Sequence, residues 1–104
     1  MGMSQGNFSL APQGTQLKAW ALVKGDGTII KSGGISGLTK PNSTYFKPVF
    51  SVAMAGTNYI VRGFTQGTEN GVVAMLVNKT TADCWVSFVG MTVAPDMAYF
   101  EIFE

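Results

Sequence analysis

A chain of 104 residues is one domain by size, and folding at that size buries about two-thirds of the surface that the unfolded chain exposes. Charged residues make up 12% of the sequence and apolar ones 46%, against about 25% charged in an ordinary soluble domain. One copy has too little charge to cover its own exterior, so an obligate oligomer is expected. Seven basic and six acidic residues are scattered along the chain, an arrangement that excludes nucleic-acid binding by phosphate neutralisation. Apolar runs are broken by Gly, Ser, Thr or charge well before the roughly 20 residues of a membrane span. The N-terminus lacks the charged-then-apolar layout of a signal peptide, and Gly6 stands where a myristoylation motif needs Ser or Thr. A soluble protein made in a cytoplasm, with no membrane insertion, is expected.

In chain order, residues 1–14 hold three glycines, one proline and no charge and show no period, which predicts an arm or attachment segment. From Thr15 onward the apolar segments are short, rich in Val, Ile, Phe, Tyr, Trp and Thr, and bounded by Gly, Pro, Asn or Asp. Strands are predicted over 15–24, 28–35, 43–54, 57–65, 71–78, 82–90 and 97–104. Gly25-Asp26-Gly27 and Glu69-Asn70-Gly71 carry the residues of tight hairpin turns. The third strand alternates, with Phe46, Pro48, Phe50, Val52 and Met54 on one face and Tyr45, Lys47 and Ser51 on the other. Pro48 cannot donate to a ladder, which predicts an edge strand or a bulge. Val72 to Val77 is apolar on both faces, as a strand between the core and a subunit interface requires. The last strand repeats the pattern, with Tyr99 and Phe103 on one face and Phe100 and Ile102 on the other. Helix content should be low, because no segment keeps an i, i+3, i+4, i+7 pattern and glycine occurs at 13 positions. About seven short strands with closely spaced turns predict an all-β fold, a two-sheet antiparallel β-sandwich, with a small barrel as the alternative. The sandwich domain is placed at 15–104, and there is no internal repeat.

Catalytic machinery is not evident. There is no histidine, so the commonest general base and metal ligand is missing, and no catalytic residue, metal ligand or cofactor is assigned. The acidic residues Asp26, Glu69, Asp83, Asp96, Glu101 and Glu104 contain the raw material of a glycosidase pair, but four of them fall in predicted turns and two near a chain end. An enzyme is therefore not expected. The single cysteine, Cys84, rules out an intrachain disulfide and a Cys-based metal cluster. Its apolar flanks predict a buried structural thiol. Sequons at Asn7, Asn42 and Asn78 have no meaning without a secretory route. Gly33-Gly34 and Gly37 lack the strand-turn-helix context of a phosphate loop and predict a bulge or bend.

The twelve aromatic residues are enough to fill a core and still leave platforms at the surface. Trp20 and Trp85 fit core or interface packing, while Tyr45, Tyr59 and Tyr99 leave both uses open. Exposed-aromatic and turn positions give Tyr45, Tyr59, Asn70 and Trp85 as the candidate receptor-binding set.

Leu17-Lys18-Ala19-Trp20, then Gly25-Asp26-Gly27-Thr28 with Ile29 and Ile30, then Ile35 to Thr39, resembles the start of a domain of bacteriophage tail fibres. Tyr45 to Val52, the small-residue loop Ala53-Met54-Ala55-Gly56, the strand Asn58-Tyr59-Ile60-Val61 and the closing strand Met97 to Glu104 are similar to its later parts. The resemblance spans about residues 15–104 and departs at Phe46 to Phe50, where the family usually runs without proline. It implies a tail or baseplate fibre structural protein in the virion, a homotrimer recognising a glycan or protein on the host surface. It further implies an N-terminal arm that docks on other tail or baseplate proteins, with Asn7, Phe8 and Leu10 as candidate attachment residues. A lectin-like carbohydrate-binding module and a purely structural virion adaptor or decoration subunit are the alternatives.

Overall fold

The computed structural model describes residues 14–67, 74–91 and 93–104. Eight strands run through them without a helix: β1 Leu17–Lys24, β2 Ile29–Gly33, β3 Ile35–Asn42, β4 Tyr45–Phe50, β5 Ile60–Gln66, β6 Ala74–Val77, β7 Trp85–Phe88 and β8 Met97–Phe103. They form two antiparallel sheets of four, ordered β2-β1-β8-β5 and β3-β4-β7-β6. This is the β-sandwich that the short, alternating segments predict.

The first hairpin closes at Gly25-Asp26-Gly27 as expected. The Thr28 amide donates to Asp26 Oδ1 at 2.9 Å, and the Lys24 amide to the Thr28 carbonyl at 2.8 Å. The Thr28 donation also holds the Asp26 carboxyl below its ordinary value. The Glu69-Asn70-Gly71 turn, the doubly apolar start at Val72 and Val73, and the arm at 1–13 lie outside the described residues.

The passage from one sheet to the other falls at Gly34, whose φ is +76°, in the left-handed region that only glycine enters freely. A Cβ there would also run into the Lys18 carbonyl oxygen. The chain then enters β3, a strand absent from the sequence-based expectation. Gly37, Lys40 and Pro41 give it a turn-like composition, and its pairing with β4 is irregular at both ends. A tight turn at 42–45, closed by the Thr44 amide on Asn42 Oδ1 at 3.0 Å, separates β3 from β4. The strand expected over 43–54 is correspondingly shorter.

β4 is interior, between β3 and β7, so that of the edge or bulge expected from Pro48 the edge is excluded. The proline is accommodated by a break in the ladder instead. β4 and β7 pair at Tyr45↔Ser87 and Phe46↔Val86, and bridge again only at Val49↔Asp83. Pro48 thus sits where β7 takes no amide bond from it. Beyond Phe50 the chain leaves the sheet, and Val52, expected on one face with Phe46 and Phe50, is 82% exposed.

The core lies between the sheets. Ala19, Ala21 and Val23 of β1 and Ala98, Phe100 and Ile102 of β8 face Phe46 and Phe50 of β4 and Val86 and Phe88 of β7, all buried. Its aromatic pairs meet edge to face, Phe46 on Phe88 at 6.0 Å and Phe50 on Tyr59 at 5.4 Å, the arrangement favoured by ring quadrupoles.

The sheet-switching glycine gives a test. Gly34→Ala should cost about 2 kcal/mol or more, from the strained φ and the collision with Lys18. Gly37→Ala, where a Cβ meets nothing within 4 Å, should change stability by no more than about 0.5 kcal/mol. Urea unfolding of the two variants side by side checks this, and equal effects would remove the role given to Gly34.

Candidate functional site

Strand alternation builds two outer faces. On the β2-β1-β8-β5 sheet, Tyr99 of β8 is flanked in register by Leu22 of β1 and Phe64 of β5, and Glu101 by Trp20 and Arg62. Phe64 is 57% exposed and Ile60 46%. Phe64 and Tyr99 stack obliquely, 5.5 Å between centroids. Gly63 allows this approach: a Cβ on it would collide with the Tyr99 carbonyl oxygen, so β5 lies close along β8.

The polar groups of this face form one connected set. Arg62 Nε donates to Glu101 Oε1 at 3.1 Å, and the Tyr99 hydroxyl donates to Glu101 Oε2 at 2.9 Å. The Arg62 guanidinium lies over the Phe103 ring at 4.8 Å, and Leu17 and Ile60 flank Phe103 in register; Phe103 is only 2% exposed although it alternates outward. Desolvation, then the bond to Glu101, pushes the Tyr99 hydroxyl up to about 12. Arg62, Gly63, Phe64, Tyr99 and Glu101 together line a cleft of about 360 Å³.

The outer face of the β3-β4-β7-β6 sheet is built around an aromatic pair. Tyr45 and Trp85 meet edge to face at 5.5 Å and 81°. Met75, Ser87 and Tyr45 lie in one cross-strand row and Val77 beside Trp85. Ser87 is 8% exposed and Met75 42%. Lys47 Nζ lies 3.8 Å from Asp83 Oδ2.

The residues expected to bind a receptor are therefore divided. Tyr45 and Trp85 come together on one outer face. Tyr59 is not a surface platform: it is fully buried, and its hydroxyl is shared between the carbonyls of Thr80 at 2.8 Å and Asp83 at 2.9 Å. Burial raises its ionisation above the ordinary value. Asn70, and the attachment residues Asn7, Phe8 and Leu10, lie outside the described residues. Cys84 is buried, as its flanks predict, and desolvation pushes its thiol up to about 12, so it stays protonated near neutral pH.

Asp83 and Glu104 are engaged structurally. Asp83 takes the Thr80 hydroxyl at 2.9 Å, and Glu104 takes the backbone amides of Ala55 and Gly56, each at 3.1 Å. Among the described residues no three His, Cys, Asp or Glu side chains are grouped to hold a metal ion, and no helix is long and apolar enough to cross a membrane.

Arg62, Phe64 and Glu101 are not singled out by sequence as binding residues. The one signal for them is the alternation Ile60, Arg62, Phe64 on one face of β5 against Tyr99, Glu101 on one face of β8. No family model, curated protein or solved structure matches the chain.

The shift of Tyr99 has a consequence for stability. The folded state holds this proton more tightly than the unfolded chain, whose phenol titrates near 10.0. The contribution is complete below about 10 and lost as pH rises through about 12. The thermal midpoint should accordingly fall across that window, and Tyr99→Phe should lessen the fall. A Tyr99→Phe profile as steep as that of the parent chain would contradict the assignment.

Proposed function

We propose that this chain is a structural and host-recognition subunit of a bacteriophage tail or baseplate fibre, a homotrimer that acts by binding and performs no chemistry. The observation that carries the reading is the exposed Phe64 ring standing beside the Arg62–Glu101–Tyr99 set in a cleft. A concave site with an aromatic wall and a few convergent polar groups is the usual form of a recognition site. The proposed receptor contact is this cleft.

The tail-fibre resemblance of the sequence over about 15–104 supports the virion setting. In it, the segment 1–14 attaches the domain to other tail or baseplate proteins through Asn7, Phe8 and Leu10. The low charge supports self-association, and the face around Tyr45, Trp85, Met75 and Val77 is the proposed contact between copies. A lectin-like module outside any virion is the second reading, favoured by the same cleft.

Two measurements test the reading on the full chain. Its solution mass at micromolar concentration should be that of three copies, falling to one copy for Met75→Lys combined with Tyr45→Lys. The labelled chain should adsorb saturably to a bacterial host in a panel of strains, with adsorption lowered by Phe64→Ala. A monomer that adsorbs to no cell surface defeats the proposal.

A further inference from the structure

The cleft on the β2-β1-β8-β5 sheet has a chemistry more specific than recognition in general. We propose that it is a saccharide site taking one uncharged pyranose residue, its C–H face stacked on Phe64 and its hydroxyls bonded to the Arg62–Glu101 pair. This rests on the reading above and names the ligand of its cleft.

The platform comes first. Phe64 is 57% exposed and is supported by Tyr99, 5.5 Å between centroids, so the ring is held and still largely open to solvent. A flat apolar ring of this kind matches the C–H face of a sugar, which is itself flat and apolar while the rim of the sugar is polar. Little of the ordering cost of binding remains to be met, because β5 and β8 already hold the ring.

The polar groups match the rim of such a ring. Glu101 accepts from Arg62 Nε through one oxygen and from the Tyr99 hydroxyl through the other, and a carboxylate has about four acceptor positions. Two of these are used here, and the 16% of the side chain that stays exposed is where a ligand hydroxyl would reach it. The guanidinium donates through Nε to Glu101, and its two terminal amino groups point other donors away from that bond in the same plane. The group also lies over the Phe103 ring at 4.8 Å, which limits its movement. A site with both fixed donors and fixed acceptors suits hydroxyl groups, which donate and accept at once.

Charge selects among sugars. Arg62 and Glu101 neutralise each other at 3.1 Å, and Gly63, Phe64 and Tyr99, the other residues lining the cleft, carry no charge near neutral pH. A carboxylated, sulfated or phosphorylated sugar would compete with Glu101 for Arg62, and an ammonium sugar with Arg62 for Glu101. The volume, about 360 Å³, is at the lower end of the range of small-molecule sites, about 300–1,000 Å³, as a mono- or disaccharide requires.

The test uses the full chain on an array of uncharged saccharides ending in glucose, galactose, mannose, rhamnose or N-acetylglucosamine, with sialylated and sulfated glycans as the acidic arm. Solution mass and bacterial adsorption are measured in parallel. Expected is binding in the uncharged arm. Phe64→Ala and Arg62→Met should each weaken it about tenfold or more with the mass unchanged, Arg62→Met also lowering the unfolding midpoint because Glu101 loses its ion-pair partner, and Phe64→Tyr should retain it. The tenfold figure corresponds to about 1.4 kcal/mol of stacking or hydrogen bonding. Cell adsorption without binding to any saccharide overturns the saccharide assignment and leaves the recognition reading standing, whereas loss of both removes the two together. Binding confined to the acidic arm overturns the charge argument. If Phe64→Ala instead breaks the assembly, the face is covered by a second copy and the assignment falls.

Discussion

Strand β8 has a pairing partner along each edge and large side chains on each face, so its register governs both the core and the surface. Ala98, Phe100 and Ile102 point between the sheets and are buried, while Tyr99 and Glu101 alternate outward. A strand has a side-chain period of two, so a slip of one residue would exchange the two sets. Glu101 would then enter an apolar interior, where an unpaired carboxylate costs far more than burial of the Tyr99 ring beside it could return. Burial of Phe100 and Ile102 therefore fixes the register. The same register places Phe64 and Leu22 beside Tyr99, and Arg62 and Trp20 beside Glu101. The cleft is thus a product of core packing, with no loop needed to position it.

Much of the sandwich was legible because its signals are local and periodic. The β8 alternation and the Gly25-Asp26-Gly27 turn each lie within a few adjacent residues. β3 escaped because no such signal marks it. Its Gly37, Lys40 and Pro41 are turn-type residues, and it is held in place by pairing with β4 and by the bend at Gly34, neither of which is local. Pro48 left two readings open for a related reason. A missing amide predicts an unpaired strand edge, yet a sheet can also meet the requirement by omitting one stretch of a ladder, and only the position of β7 distinguishes the two.

The site was less legible than the fold. Tyrosine type alone gives no side of the sheet, and Tyr59 shows the consequence. It lies just before β5, where its ring packs edge to face on Phe50 and its hydroxyl finds the Thr80 and Asp83 carbonyls. A phenol that reaches two carbonyls is stable in the interior, so its polar end permits burial. Phe64, by contrast, has no polar end, and residue type alone does not separate it from the phenylalanines of the core. Its exposure follows from parity with Arg62 and Ile60, and parity becomes informative only once Thr65 and Val61 are known to face inward against the core. Arg62 and Glu101 are separated by 39 positions, a distance across which a single sequence carries no pairing signal.

The two outer faces differ in a way that divides the proposed roles between them. Tyr45 and Trp85 pack into one another, and Ser87 in the same row is almost covered, so that face suits a broad partner surface such as another copy. On the opposite sheet the side chains of Phe64 and Arg62 rise from either side of Gly63, whose missing Cβ lets β5 settle against β8. The result is a concavity with a polar wall. Broad protein contacts are built by filling space and excluding water over a wide area, whereas a small ligand needs a hollow that the protein itself does not fill. If copies met through the cleft, the Arg62–Glu101 pair would have to be desolvated without a gain that an apolar pair of the same size would not supply better. Leaving the face uncovered keeps Arg62, whose side chain is 43% exposed, in contact with water. The proposed assembly thus follows the face of Tyr45 and Trp85, and the open one remains for the ligand.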